Sequence, residues 1–317
     1  MIVVIHPNPS LDKTAVVPDF ALGRVARVPD MLSLAGGKAF NVARALRTLG
    51  ETSLVVGPLA GHIGALLRDL TEAEGIACDP VWLGSGETRA CLTIVDPSTH
   101  RDTEVYESGP TAQPDDWAHL LAVTDRHLDA ARALVICGSF LPGVPASGLR
   151  DVLERARAAG VPTYVDTYGP RLAQALAARP ALVKVNEHEA ADVIEHPVGD
   201  PASALAAADE IRARGAEAVV VTLGARGAVG VDAGGRRFAW AAPAVHGLSA
   251  VGSGDSFFAG VVASLAWGAT LREAVRLGSA AGAANTLQIG AGVFTRGQVD
   301  ALLSRVCELS IEEGKQA

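Results

Sequence analysis

The chain has 317 residues, with 27 Lys+Arg against 35 Asp+Glu, a formal net charge of −8, and 49% hydrophobic against 20% charged residues. That supplies a large core and excludes wholesale disorder, and at about 150 residues per domain the length suits two domains or one large α/β unit. The acidic balance and the 4% aromatic content argue against nucleic acid and membrane as partners, because a polyanion is repelled and few rings are available to stack bases.

The run 2–5 (IVVI) follows Met1 with no basic leader, so a strand and no secretory signal are expected there. Residues 12–35 then break into short β pieces, TAVV at 14–17 and MLSLA at 31–35. A helix is predicted over 38–49, a strand over 53–57 and a helix over 62–74. Residues 88–108 again read as β pieces, CLTIV at 91–95 and TEVY at 103–106. Next come a helix at 115–131, a strand at 133–137, a helix at 146–159, and strands at 163–166 and 181–185. Helices at 187–195 and 201–214, strands at 218–223 and 228–232, and helices at 252–267, 271–287 and 296–308 complete the pattern. The polar tail from Glu308 is expected to fray.

ALVIC (133–137), ALVKV (181–185) and AVVVTL (218–223) are almost wholly apolar, the mark of strands buried on both faces of a mainly parallel sheet. The expected fold is therefore α/β, with a central sheet flanked by helices in one domain over 1–317. Segments 12–35 and 88–108 are expected to form a small separate sheet acting as a lid. The four Cys form no CxxC and the eight His no HxxxH, so a disulfide scaffold and a zinc hydrolase site are both excluded. Free thiols in a reducing cytoplasm fit better. The longest uncharged stretch, 277–295, holds Asn285, Gln288 and several Gly, and cannot cross a bilayer as a plain apolar helix.

Scarcity is informative. Only four Lys and four Asn occur, and two of each fall close together, Lys38 with Asn41 and Lys184 with Asn186. Lys gives a compact ammonium where Arg gives a rigid fork, and Asn gives donor and acceptor together. No GxxxxGK[ST] and no GxGxxG at a strand–helix junction are present, which excludes P-loop and dinucleotide-binding readings. Instead Val251-Gly252-Ser253-Gly254-Asp255-Ser256 opens a long amphipathic helix. Backbone N–H groups there, with Gly252 and Gly254 allowing close approach, suit an anion such as a transferring phosphoryl group. Asp255 in that first turn can take a proton from an acceptor hydroxyl. Earlier, Gly36-Gly37-Lys38-Ala39-Phe40-Asn41 lets a substrate lie against the backbone, with Asn41 one turn beyond Lys38 on the same helix face.

GGKAFNVARALRTLG and VGSGDSFFAG, roughly 210 residues apart, resemble the two signatures of the ribokinase-like (PfkB) carbohydrate kinases. HPNPSLDKT (6–14), GRVARV (23–28), GETRACLTIVD (86–96), TEVYESGP (103–110), CGSFLPG (137–143), VKVNEHEA (183–190) and VTLGARGA (221–228) extend the likeness over nearly the whole chain and point to its 1-phosphofructokinase and tagatose-6-phosphate kinase branch. The resemblance implies a ribokinase-like fold with a β lid and an ATP-dependent kinase of a ketohexose phosphate. Asp255 would be the base, and Gly252, Ser253 and Gly254 the anion hole. Asp12, Gly36, Gly37, Lys38, Asn41 and Ser139 would contact the sugar, and Arg27 and Arg89 would grip its phosphate, as paired guanidinium forks can. Lys184, Asn186, Thr222, Gly224, Gly227 and Asn285 would serve the nucleotide, with Glu189 acting on Mg2+, mainly indirectly. The resemblance also implies K+ among backbone oxygens near Ser249, Val251, Gly290 and Gly292, and a homodimer paired through the lid.

The chain departs from the family pattern at Ala39, at Val185 between Lys184 and Asn186, at Ser249-Ala250, and in GSFLPG. None of these removes a charged group. GETRACLTIVD with TEVYESGP leans toward tagatose 6-phosphate. The alternatives are a kinase of an unphosphorylated sugar or nucleoside and a non-catalytic sugar-phosphate sensor.

Overall fold

Strands covered on both faces need apolar residues at every position. In β1 (Ile2–Ile5), Ile2 and Val4 join one core layer and Val3 and Ile5 the other, and all four are fully buried. The structure is a computed structural model that describes residues 1–99 and 101–310. The end of the polar tail, 311–317, lies outside the described residues.

After β1 come β2 (Ser10–Val16), β3 (Leu32–Gly36), α1 (Lys38–Leu49), β4 (Ser53–Leu59), α2 (Gly61–Ala73), β5 (Ala77–Trp82), β6 (Arg89–Asp96) and β7 (Arg101–Tyr106). The middle of the chain forms α3 (Pro114–Leu128), β8 (Ala133–Cys137), α4 (Gly148–Ala158), β9 (Thr163–Asp166), α5 (Gly169–Ala177), β10 (Leu182–Asn186), α6 (Glu187–Ile194) and α7 (Pro201–Ala213). The last third forms β11 (Ala218–Thr222), a 3-10 turn (Gly224–Arg226), β12 (Ala228–Val231), β13 (Arg237–Ala241), α8 (Ser253–Ala266), α9 (Leu271–Asn285), α10 (Arg296–Leu303) and β14 (Cys307–Glu308).

Ten strands make one sheet in the order β14-β13-β12-β11-β10-β9-β8-β1-β4-β5. From β11 to β5 every pair is parallel, and β12, β13 and β14 add an antiparallel edge. One helical layer carries α3 to α7 and the other α1, α2, α8, α9 and α10. The four pieces at 12–35 and 88–108 form a second sheet, β3-β2-β6-β7, as expected. Among the described residues no helix is long and apolar enough to cross a membrane.

Several boundaries and elements differ from expectation. The helix expected over 296–308 stops at Leu303, because Cys307 and Glu308 pair instead with the open edge of β13. The strand β5 was not foreseen because Pro80 interrupts its pattern; it is an edge strand paired only to β4, where a missing N–H is tolerated. The Gly-Pro start of α5 resembles a turn, and the two charged residues before Phe238 masked β13.

Candidate active site

The C-terminal ends of β1, β8, β9, β10 and β11 share one edge of the parallel sheet, and the residues after them collect there, as ligand-binding residues do in open α/β sheets. Two clefts open on this edge. One of about 530 Å³ lies against the four-stranded sheet and is lined by Asp12, Lys38, Asn41, Arg89, Ser139 and Asp255 among others. The other, of about 610 Å³, runs between Thr222, Gly224 and Gly227 on one side and Val245, Leu248 and Ala283 on the other. Gly254 lines both; Gly252 lines the first and Ser253 the second. The first turn of α8 is their common wall.

Gly252 caps α8 at φ +77°, a left-handed conformation that suits glycine. Among the described residues, the N–H groups of Gly252, Gly254 and Asp255 have no acceptor, which leaves three donors for an anion at the positive end of the helix. A Cβ added at Gly254 would lie 3.4 Å from Lys184 Nζ, so an ammonium backs the same spot. Asp255 is buried, and its Oδ2 accepts from Asn41 Nδ2 at 2.8 Å. Burial raises its pKa from 3.8 to about 6, against the pull of Lys38. Such a carboxylate is ionised at neutral pH yet basic enough to take a hydroxyl proton.

Asp166, the last residue of β9, joins the two rare lysines. Lys38 Nζ lies 2.6 Å from its Oδ1 and Lys184 Nζ 2.8 Å from its Oδ2, while Lys38 is also 3.8 Å from Glu189 Oε1. Burial opposes each charge. The two ammonium groups nevertheless hold Asp166 below the usual carboxylate range, and the carboxylates of Asp166, Asp255 and Glu189 hold Lys38 well above the usual lysine range. Asn186 and Glu189 cap α6 reciprocally: Asn186 Oδ1 accepts from Glu189 N and Glu189 Oε2 from Asn186 N, both at 2.8 Å.

In the first cleft the Gly36-Gly37 turn is shaped around Asp12. Asp12 Oδ2 accepts from Gly37 N at 3.0 Å and Oδ1 from Ser10 Oγ at 2.6 Å, and a Cβ at Gly36 would meet Asp12 Cγ at 1.9 Å. Burial raises the Asp12 pKa despite both bonds. Arg89 donates through Nη1 to Glu107 O at 3.2 Å and through Nη2 to Asn8 O at 3.1 Å, while its buried Nε has no partner. Asn8 Nδ2 in turn donates to Ser139 Oγ at 3.3 Å.

The "pfkB family carbohydrate kinase" profile matches residues 8–296. The chain belongs to the PfkB family of carbohydrate kinases. A 1-phosphofructokinase of Xanthomonas campestris pv. campestris is 33% identical over 281 residues, covering 86% of this chain and 87% of the relative. A 1-phosphofructokinase of Rhodobacter capsulatus is 33% identical over 282 residues, covering 88% of each. The structure of phosphofructokinase-2 from Escherichia coli in complex with potassium matches with a TM-score of 0.87 at 30% identity, covering 96% of this chain and 98% of that one. The tetrameric inhibited form of the same protein gives the same values. The PfkB kinase described here is thus a phosphotransferase with an alcohol acceptor, and these likenesses support sugar-phosphate kinase activity. The family implies ATP as the donor, usually with Mg2+.

Three expectations need correction. Arg27 is exposed and lines neither cleft; it sits in the stretch between β2 and β3, which has no regular structure to aim it. Asn285 does not line the second cleft. It is fully buried and clasps the turn before α8, donating to Val251 O at 2.8 Å and accepting from Ser256 Oγ at 3.0 Å and Gly292 N at 2.7 Å. The Ser253 N–H is not free for an anion, because it closes the turn onto Ala250 O at 3.1 Å. Thr222, Gly224 and Gly227 line the second cleft.

In this PfkB kinase, Asp166 was missed. Its signal is a carboxylate ending the apolar strand TYVD, on the edge where such sheets bind ligands. His6 was missed as well. It lines the first cleft, and burial lowers its pKa from 6.5 to about 3, Arg89 adding to the effect. The ring is neutral, with Nε2–H donating to Gly36 O at 2.9 Å and a buried Nδ1 lacking a donor.

Proposed function

We propose that the protein phosphorylates a ketohexose phosphate to a bisphosphate with ATP. The first cleft takes the sugar phosphate, the second the nucleotide, and the α8 turn carries the phosphoryl group between them. The observation that carries this reading is Asp255, a carboxylate with a raised pKa at the junction of the two clefts. Asp255 removes the proton of the acceptor hydroxyl as its oxygen bonds to the γ-phosphorus and the bond to ADP breaks. The N–H groups of Gly252, Gly254 and Asp255, with Lys184 behind them, hold the transferring oxygens. Lys38 and Asp166 keep the site's charges in place. Arg89 and Ser139, which line the first cleft, contact the sugar phosphate.

Among the described residues no group of three acidic, His or Cys side chains could cage a metal. Magnesium held mainly by nucleotide phosphates and water needs only one or two carboxylates. Glu189 and Asp166 fit that need through water, and the ion would offset charge on the phosphates. Potassium would sit among the backbone oxygens near Ser249, Val251, Gly290 and Gly292, a reading supported by the likeness to the potassium complex.

The likeness to two proteins named 1-phosphofructokinase supports fructose 1-phosphate as the first acceptor to test, with tagatose 6-phosphate and fructose 6-phosphate beside it. A kinase of an unphosphorylated sugar is the second reading, favoured by the absence of Arg27 from the cleft. The four-stranded sheet is proposed as a lid, and its exposed Val16, Leu32 and Val105, beside Leu22, Val25 and Met31, as the face that a second copy covers.

The test is ADP release with MgATP on the three ketohexose phosphates, free fructose and ribose. Turnover on a phosphosugar supports the reading. Turnover on free sugar alone replaces it with the second, and silence on all five with ATP bound rejects these acceptors and moves a sensor or an untested sugar to the front.

A further inference from the structure

An amide can turn either its oxygen or its nitrogen toward a neighbour, and the two ends are almost the same size. Only the N–H end helps an ionised carboxylate, so the orientation of Asn41 matters to Asp255. Arg44, one turn later on α1, settles that orientation. Its Nη1 donates to Asn41 Oδ1 at 3.2 Å. A guanidinium has donors and no acceptor. The amide oxygen is thereby fixed on Arg44, and Nδ2 is left to donate to Asp255 Oδ2 at 2.8 Å.

The same guanidinium reaches further. Nη1 donates to Ala291 O at 2.9 Å and Nη2 to Ala35 O at 2.6 Å. Ala35 precedes the Gly36-Gly37 turn. Ala291 packs on Gly252, where an added Cβ would lie 2.4 Å from the Ala291 Cβ. Glu74, at the end of α2, anchors the arginine by accepting from Nε at 2.5 Å and Nη2 at 3.0 Å. Arg44 is 6% exposed and lines neither cleft. A surface ion pair would not need this inventory, and a lysine could not supply it.

We propose that Arg44 is a positioning residue for phosphoryl transfer: anchored on Glu74, it fixes the Asn41 amide so that an N–H, and not an oxygen, faces the Asp255 carboxylate. This rests on Asp255 being the base. The charged groups that act on Asp255 are Lys38 from α1, Asp166 from the end of β9 and Lys184 from β10. Arg44 itself touches Asn41, not Asp255.

The experiment compares Arg44→Met, Arg44→Lys, Asn41→Ala and the Arg44→Met/Asn41→Ala pair in the full chain. It measures kcat, both KM values and the pH profile of kcat/KM for the phosphorylated sugar. Losing the oriented N–H disfavours the ionised carboxylate, so the acid limb moves to higher pH. Expected for Arg44→Met are a kcat lower by about tenfold, KM values within about threefold, and a limb displaced upward by about half a pH unit. On the Asn41→Ala background the arginine change should displace the limb no further. A displacement that persists there is a through-space charge effect and overturns the proposal. So does a fall in kcat with an unmoved limb, which marks a merely structural role. If Arg44→Met loses its cooperative unfolding transition, Arg44→Lys, which keeps a charge for Glu74 but lacks the fork, decides by the same criteria. Asp255→Asn separates the two readings. Wild-type turnover in that variant removes the base and this proposal with it, whereas an inactive Asp255→Asn beside an unmoved Arg44→Lys limb overturns the positioning role alone.

Discussion

Asp255→Asn should stabilise the protein while abolishing its turnover. Burial raises the Asp255 pKa from 3.8 to about 6, which corresponds to about 3 kcal/mol against the folded state at neutral pH. Between those two values the folded chain keeps a proton that the unfolded chain has released. Stability therefore falls as pH rises through that window, and the penalty is complete above it. An amide at this position carries no charge and can still accept from Asn41 Nδ2. What it forfeits is attraction to Lys38, which keeps Asp166 at 2.6 Å and Glu189 at 3.8 Å. The net gain is thus below 3 kcal/mol. At about 2 °C per kcal/mol for a chain of this size, Tm should rise by about 2–4 °C at pH 8 and the difference should shrink toward zero near pH 4. Calorimetric scans of both proteins from pH 4 to 8, with turnover measured alongside, make the test. A Tm difference that does not change with pH, or a variant less stable than wild type at pH 8, would refute the claim that this carboxylate is held at a cost to the fold.

The wild-type kcat/KM should fall on the acid side with a midpoint at about pH 6, reaching about a tenth of its plateau at pH 5; a flat profile to pH 5 would separate Asp255 from the proton transfer. Arg89→Gln should raise KM for a sugar phosphate by about 10-fold or more and leave KM for ATP within about twofold, since charge-assisted bonds to the acceptor are lost; equal effects on both would assign Arg89 to the fold. Gly36→Ala forces Asp12 off its bonds to Ser10 and Gly37, because the new Cβ would meet Asp12 Cγ at 1.9 Å, and should lower stability by about 1–3 kcal/mol in denaturant titration. Hydrogen exchange should slow in 12–35 and 88–108 when sugar phosphate binds; unchanged exchange would reject the lid.

Much of the architecture was legible because its signals are local. A strand buried on both faces, such as ALVIC at Ala133–Cys137, is apolar throughout, and a Gly-Ser-Gly-Asp turn leaves a local mark where it opens a helix. What was not legible depends on partners distant in sequence. Asp166 reads as an ordinary strand-ending acid until Lys38, 128 residues away, and Lys184 close on it. Asn285 was singled out by its rarity, and the structure places it behind the turn before α8. That placement was not legible, because scarcity says that a residue's chemistry is needed without saying which way it points. Arg27 is a different case. Its segment matched, but no strand or helix holds the residue on the cleft. Arg44 left a faint trace, a charge amid the apolar run AFNVARAL, which only a buried partner such as Glu74 could justify.

The shared wall between the clefts bears on how this enzyme can change. Arg89, Asp12 and Ser139 belong to the small sheet and the ends of its neighbouring strands, whereas Thr222, Gly224 and Gly227 belong to the β11–β12 turn. No side chain among these six serves both clefts. If the first cleft takes the acceptor and the second the donor, as proposed, acceptor preference can drift by substitution on one side while donor recognition stays intact on the other. The turn from Gly252 to Asp255 has less freedom, because Gly254 lines both clefts and its neighbours line one or the other. Diversification of the acceptor should accumulate around that segment and leave it alone.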